Sequence, residues 1–412
     1  HLARRLAVRA TSRHRSAYYS GNLFRSPRSQ APARINLRTS RPSAETRERY
    51  EQFAPGMKIG FVRRGHSATG GAEAYLLRLA SALRGLGEET SLITSPDWPA
   101  DRWPFGEILR LEASSPREFA DAFLKKPTGC DIHLSLERVP GSEVYRAGDG
   151  VHAAWLDRRN AFEPLWKRLT RGLNRKHAQI LELERRVFDP QNTRAIIANS
   201  AMVRDEILAR FPYPADQIHI VRNGIQPWAE LPERETARKK FQIDPEVLCL
   251  LFLGTGWERK GLATAIGALD KLDSATLLVA GRGPADLYRH DKARFLGPVS
   301  DIASLFAAAD LLVAPTWYDP FSNACLEALA AGLPVITTSA NGFSEILTPG
   351  VHGDITPAGD SHALTEAVEK WRNPEKRIAT REACRLLASE YSSERNARET
   401  LKILTRAASS AS

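Results

Sequence analysis

The sequence predicts an α/β protein built on parallel sheet and long enough for two domains. Short apolar runs alternate with amphipathic helical stretches along most of the chain, the pattern of βαβ units. The run Leu311-Leu312-Val313-Ala314 is apolar without alternation, as expected of a strand covered on both faces. The 412 residues, 42% hydrophobic and 26% charged, suffice for two globular domains of ordinary size.

Residues 1–56 are rich in Arg, Ser and Pro, lack hydrophobic periodicity, and are expected to form a disordered, basic extension. The first 44 hold ten arginines and no acid, which accounts for the whole net charge of +10. The remainder is near neutral, so a basic nucleic-acid-binding domain is not expected. The chain begins with His and Met57 opens the first clear strand, so the extension reads as a fragment or misplaced start rather than a transit peptide. The cysteines, Cys130, Cys249, Cys325 and Cys384, lie far apart and read as isolated thiols in a reducing compartment. No apolar run reaches the roughly 18–20 residues of a spanning helix, and no secretory pattern precedes the first strand. The expected location is therefore cytoplasmic.

The first domain, 57–225, places strands at 58–62, 90–94, 108–111, 132–136, 194–199 and 218–221. Helices are expected at 72–84, 115–124 and 201–210, the last capped by Ser200. Gly70 and Gly71 sit where a loop becomes the first helix and allow close backbone approach to a ligand. A plain tight turn explains them equally well, and Gly65, Gly70 and Gly71 do not fit the dinucleotide spacing. A strand end follows at Tyr145-Arg146-Ala147-Gly148-Asp149-Gly150-Val151-His152, with two polar candidates, Asp149 and His152. From Trp155 to Lys176 seven basic residues face two acids. After Pro164, which can start a helix, Leu165, Trp166, Leu169 and Leu173 share one side. That is the pattern of an interfacial helix on an anionic membrane, and equally of a helix packed on its own core.

Residues 226–240 read as a linker. The second domain, 226–390, places strands at 247–253, 276–280, 294–296, 311–314, 335–337 and 351–355. Helices are expected at 262–272, 302–308, 361–372 and 374–389, with a last helix at 393–407. Arg259 and Lys260 at the start of helix 262–272 oppose its dipole, which is unfavourable unless an anion is bound there.

Asp310 to Glu345, DLLVAPTWYDPFSNACLEALAAGLPVITTSANGFSE, is the stretch the rest serves. It reads as strand, loop, helix, strand, with Ser322 a suitable N-cap and Gly332 and Pro334 ending the helix. The helix start, Phe321, Ser322, Asn323, Ala324 and Cys325, is mostly small and leaves its backbone N–H groups open to a phosphate. Glu327, deeper in the helix, would repel phosphate but can accept hydrogen bonds from ribose hydroxyls. Asp319, in the loop, can accept from the hydroxyls of a second sugar. Together these describe a site for a nucleotide-sugar donor.

The acid, seven residues, Glu arrangement, with EALAAGLPVI and NGFSE after it, resembles the group 1 (family 4) retaining glycosyltransferases. The resemblance covers about 57–405 and implies the GT-B fold, two Rossmann-like domains facing across a cleft. The family usually carries Glu where this chain has Asp319, one methylene shorter. The resemblance implies that Arg259, Lys260 and the double glycine Gly70-Gly71 face the donor diphosphate. It also implies that Asp149 or His152 lies over the reaction centre and orients the acceptor hydroxyl, and that helix 391–412 returns to the first domain. The expected reaction is metal-independent transfer of a hexose, glucose before others, from a UDP-sugar to a glycan or glycolipid, with the lipopolysaccharide core as one such acceptor. No cofactor, metal or nucleic acid is expected. The lipopolysaccharide core enzymes of the family have a basic region where this chain has 155–176, which implies a peripheral place on the inner face of the cytoplasmic membrane. The alternatives are a nucleotide-sugar epimerase, a phosphorylase, or a non-catalytic binding module.

Overall fold

A computed structural model describes residues 56–66, 71–163 and 175–409, all within the compact unit Ala44–Ser412. The first lobe is a seven-stranded parallel sheet in the order β3-β2-β1-β4-β5-β6-β7. Its strands are β1 (Lys58–Val62), β2 (Glu89–Thr94), β3 (Ile108–Arg110), β4 (Ile132–Ser135), β5 (Val144–Arg146), β6 (Ala195–Ala198) and β7 (Ile218–Ile220). Helices α1 (Gly71–Gly85), α2 (Pro116–Lys125), α3 (His152–Arg159), α4 (Arg175–Val187) and α5 (Ala201–Leu208) connect them. The second lobe starts with α6 (Arg234–Lys240) and has a six-stranded parallel sheet, order β10-β9-β8-β11-β12-β13. Its strands are β8 (Leu248–Leu253), β9 (Ala275–Ala280), β10 (Ala293–Gly297), β11 (Leu311–Ala314), β12 (Val335–Thr338) and β13 (Gly353–Thr356). Its helices are α7 (Leu262–Leu269), α8 (Ile302–Ala308), α9 (Asn323–Ala330), α10 (Ser361–Lys370), α11 (Pro374–Ala379) and α12 (Arg381–Ser389).

Both sheets are covered on both faces, and the side-chain period of two divides each strand between two cores. In β8, Leu248, Leu250 and Phe252 join Leu262, Leu269 and Trp371 on one face. Cys249 and Leu251 join Phe306, Leu326 and Leu329 on the other. The last helix, α13 (Ser393–Ser409), sends Ala397, Leu401 and Leu404 into the first lobe's core with Ile59, Leu76 and Leu83. The two chain crossings between lobes are bonded to each other, Ile225 N–H to Tyr391 O at 3.0 Å and Ser393 N–H to Ile225 O at 2.9 Å.

The sheet order places a switch point between β1 and β4 in one lobe and between β8 and β11 in the other. Ligands of open parallel sheets bind outside the carboxyl ends of the strands at such points. The segments leaving those ends in the two lobes touch each other, so both switch points open on one cleft.

Two local expectations differ. The expected linker 226–240 contains α6, whose Arg234 and Arg238 hold the buried Asp310 carboxylate at 2.7 and 2.6 Å. The mixed charges that resemble a linker are thus partners for an acid far along the chain. The single helix expected over 374–389 is broken at Thr380 into α11 and α12. The helix expected from Pro164 falls on residues 164–174, which lie outside the described residues; before it, α3 ends at Arg159.

Candidate active site

The second lobe supplies the helix end. Ser322 is the N-cap of α9, but its hydroxyl makes no capping bond; its N–H donates to Asn341 Oδ1 at 3.3 Å. Among the described residues the N–H groups of Asn323, Ala324 and Cys325 meet no acceptor, so the first turn is open in the way an oxyanion requires. A narrow cavity at the ends of β8 and β11 is lined by Lys260, Thr316, Asp319, Ser322 and Ala324. Of the predicted residues here, Phe321 and Cys325 turn their side chains into the core. Phe321 packs edge-on against Phe343, and burial pushes the Cys325 thiol up to about 12. Only their backbones are available to a ligand.

Arg259 and Lys260 lie in a turn before α7 rather than in its first turn, because Gly261 forms the N-cap at φ +75°. A Cβ at Gly261 would lie 1.8 Å from Pro315 O, so only glycine lets this turn pack under the end of β11. Lys260 Nζ meets Asp319 Oδ2 at 3.0 Å, and Arg259 Nη1 donates to Tyr318 O at 2.7 Å. The anion beside Lys260 in this structure is therefore Asp319. Burial would raise the Asp319 carboxyl, but Lys260 and then Arg259 outweigh it and hold the group below its ordinary value. Glu327, one turn into α9, faces Arg78 of α1 across the cleft at 3.8 Å. Burial raises its carboxyl, with Arg78 and Lys260 opposing.

The first lobe closes over this end. Gly71 starts α1 and lies against Asn323: a Cβ there would be 4.0 Å from Asn323 Nδ2. Gly70 lies outside the described residues. Asn223 Nδ2 donates to Asn323 Oδ1 at 2.6 Å and to Phe321 O at 3.3 Å. Asp149 is exposed at the loop tip, and its neighbour Gly150 sits at φ +70° against the other lobe. A Cβ on Gly150 would fall 2.2 Å from the Tyr318 hydroxyl, so the loop approaches closely enough to need glycine. That hydroxyl accepts from Val151 N–H at 2.8 Å and donates to Glu206 at 2.7 Å. His152 opens α3, and its ring Nε2 lies 3.0 Å from His177 Nδ1. Burial and the nearby cations Arg138 and Lys176 bring it down to about 4, so the imidazole is neutral near neutral pH. The buried Glu184 carboxylate accepts from the His152 and Ala153 amides at 2.6 and 3.0 Å and from Arg138 at 3.0 Å.

Two family models match this chain. The one described as glycosyl transferases group 1 spans residues 248–373, and the one described as glycosyltransferase family 4 spans 145–228, together about half of the chain. The chain belongs to the group 1 and family 4 glycosyltransferases. Among relatives of this glycosyltransferase, the lipopolysaccharide glucosyltransferase WaaG of Escherichia coli is 23% identical over 73% of this chain and 85% of its own length. An uncharacterized glycosyltransferase of Methanocaldococcus jannaschii is 31% identical, over 38% of this chain and 45% of that protein, so this match spans less than half of the archaeal relative. Among solved structures, that of WaaG superposes with a TM-score of 0.72 at 22% identity, covering 84% of this chain and 99% of that one. Anabaena HepE in complex with UDP and glucose superposes at 0.65 with 17% identity, covering 85% and 100%. The fold is GT-B.

Several residues of the cleft carry no sequence signal of their own. Arg63, at the end of β1, bridges Glu73 at 3.0 Å and Glu137 at 3.4 Å. Burial pushes the Glu137 carboxyl up to about 7 against the pull of Arg63 and Arg64. Glu345, in the NGFSE motif, leaves its own lobe and accepts from the Ala201 and Met202 amides of α5 at 2.9 and 2.7 Å, and from Arg222 at 3.0 Å. Ser200 caps this helix as expected, accepting from the Val203 amide at 3.3 Å, and Glu345 takes two further first-turn amides. In the basic stretch, Arg158 pairs with Glu206 at 2.8 Å and Arg159 with Glu163 and Glu258 at 2.7 and 3.5 Å. Trp155 stacks on Tyr318. Arg159 through Glu258, Trp155 on Tyr318, and the Arg158 guanidinium 5.3 Å from the Tyr318 ring join the first lobe to the second.

Proposed function

We propose that the protein transfers a hexose, glucose before others, from a UDP-sugar to a hydroxyl of a glycan or glycolipid, with retention of configuration and without a metal. The observation that carries this reading is the open amino end of α9 with Lys260 and Asp319 beside it and Glu327 one turn deeper. The diphosphate sits on the amides of Asn323, Ala324 and Cys325, and Glu327 accepts from the ribose hydroxyls. Asp319 accepts from hydroxyls of the donor sugar, while Lys260 and Arg259 offset charge on the leaving UDP. The acceptor attacks from the leaving-group face, with the phosphate as base. Asp149 lies on the acceptor side. His152, neutral and paired with His177, acts by shaping the loop above that space. The names of WaaG, a lipopolysaccharide glucosyltransferase, and of HepE in complex with UDP and glucose support a UDP-sugar donor and a lipopolysaccharide acceptor.

Calorimetry with UDP, followed by a panel of UDP-, GDP- and ADP-sugars, tests the donor. Glu327→Ala is expected to weaken UDP at least about tenfold, the loss of one or two hydrogen bonds to a charged group. Unchanged affinity in that variant removes the assignment, and loss of transfer on chelation removes the metal-independent chemistry.

A further inference from the structure

Arg78 lies two turns into α1 and reaches over the cleft to Glu327, but the pair is incomplete. Nη1 stands 3.8 Å from Glu327 Oε1, beyond hydrogen-bond length. Nε and Nη2 are buried with no acceptor among the described residues. Burial lowers the Arg78 guanidinium from its ordinary value, as it raises the Glu327 carboxyl. Both charges are therefore poorly served by the protein's own groups, a costly arrangement unless another group completes it. That group is not a phosphate, because the Glu327 carboxylate repels one. A hydroxyl does both jobs at once: it accepts from the guanidinium at about 2.9 Å and donates to the carboxylate at about 2.7 Å. Seated beside a 3.8 Å pair, one hydroxyl spans it, and a vicinal diol serves two donors and both carboxylate oxygens.

We propose that Arg78 is the first lobe's half of a clamp on the ribose diol of the donor nucleotide, Glu327 being the other half; this rests on the donor reading above. The diol then joins the lobes directly, since α1 and α9 belong to different sheets. The buried position of the two free donors means the lobes part to admit the nucleotide and close on it.

The test is the ratio of affinities for UDP and 2′-deoxy-UDP, by calorimetry, in the wild type, Arg78→Gln, Arg78→Lys and Glu327→Gln. The wild type is expected to favour UDP about tenfold, the worth of one hydrogen bond shared with charged groups. Arg78→Gln should bring the ratio to within about twofold of unity by weakening UDP, with Arg78→Lys between them. The charged and titratable neighbours are Lys260 beside Glu327 and Tyr75 and Arg146 beside Arg78. With Arg78 neutralised, Glu327 loses its main attraction, so UDP affinity should begin to fall at higher pH than in the wild type. Equal weakening of both nucleotides, or an unchanged ratio and pH profile in the Arg78 variants, overturns the clamp. If the wild type binds UDP through Glu327 while Arg78 proves silent, only this inference fails; if the wild type does not bind UDP, the donor reading fails first.

Discussion

Lys260→Met separates what this lysine does for the fold from what it does for the donor. Lys260 and Asp319 meet at 3.0 Å with side chains 19% and 9% exposed, so the pair is largely buried. Removing one partner of a buried pair leaves the other charge uncompensated, typically at about 3–5 kcal/mol. Here Arg259 still acts on Asp319, which brings the expected loss to or just below the lower end, about 2–3 kcal/mol. The sign against pH is definite. The Asp319 carboxyl is depressed in the folded protein, so its contribution is present above its unfolded value and is lost as pH falls through the folded one. The gap between wild type and Lys260→Met should therefore be full near pH 7 and shrink below about pH 4, the unfolded range of Asp. Adding Asp319→Asn to Lys260→Met removes the orphaned charge and should recover about half of the loss. UDP affinity should stay low in the double variant, because the cation facing the diphosphate is still missing. Urea denaturation and calorimetry on the full chain measure the two quantities. A single variant within about 0.5 kcal/mol of wild type, or a double variant no more stable than the single, would refute the reasoning, since measured surface pairs fall in that range.

Glu345→Ala removes the acceptor for two first-turn amides of α5 and the partner of Arg222; urea denaturation should show a loss of about 2 kcal/mol, and UDP affinity should drop with it because the contact joins the lobes. His152 binds its proton only near pH 4 when folded, so between its ordinary value and about 4 the unfolded chain holds more protons and stability falls as pH falls. His152→Gln should flatten that slope; an unchanged slope in a pH series of melts counts against it. The cations Lys167, Arg168 and Arg171 remain candidates for an anionic surface. Co-sedimentation with anionic liposomes should fade at high salt, and equal recovery with neutral vesicles would remove the membrane from the picture.

The fold was legible because apolar runs such as Leu248–Leu253 and Leu311–Ala314 can only be strands covered on both faces, and the chain repeats that unit. The second-lobe site was legible because helix α9, its small first turn and its two acids lie within one stretch of sequence. What stayed hidden depends on distant pairs. Tyr318 with Glu206, Glu345 with α5, and Arg78 with Glu327 each link residues more than 100 positions apart. Local pattern does carry their types but not their partners. In the basic stretch the partners were hidden for the same reason: Glu206 and Glu258 reach Arg158 and Arg159 from other elements. Helix α6 was missed because its arginines signal a helix only once Asp310 is beside them.

These distant pairs also bear on how binding works. The open amides of α9 belong to one lobe, and Gly71, Asn223 and Arg78 approach them from the other. Much of the contact between lobes is polar: Asn223 on Asn323, the Tyr318 hydroxyl on Val151 and Glu206, Glu345 on Ala201 and Met202. Such contacts exchange with water at little net gain, about 0.5–1.5 kcal/mol each, unlike the apolar cores that hold each sheet. The lobes are therefore held by forces weak enough for a ligand to tip. A donor that bonds to both sides adds its contacts only in the closed arrangement, so its binding and the closure are one equilibrium. It follows that a substitution far from the diphosphate, at Glu345 for example, changes donor affinity by as much as it changes the closed population, without touching the nucleotide.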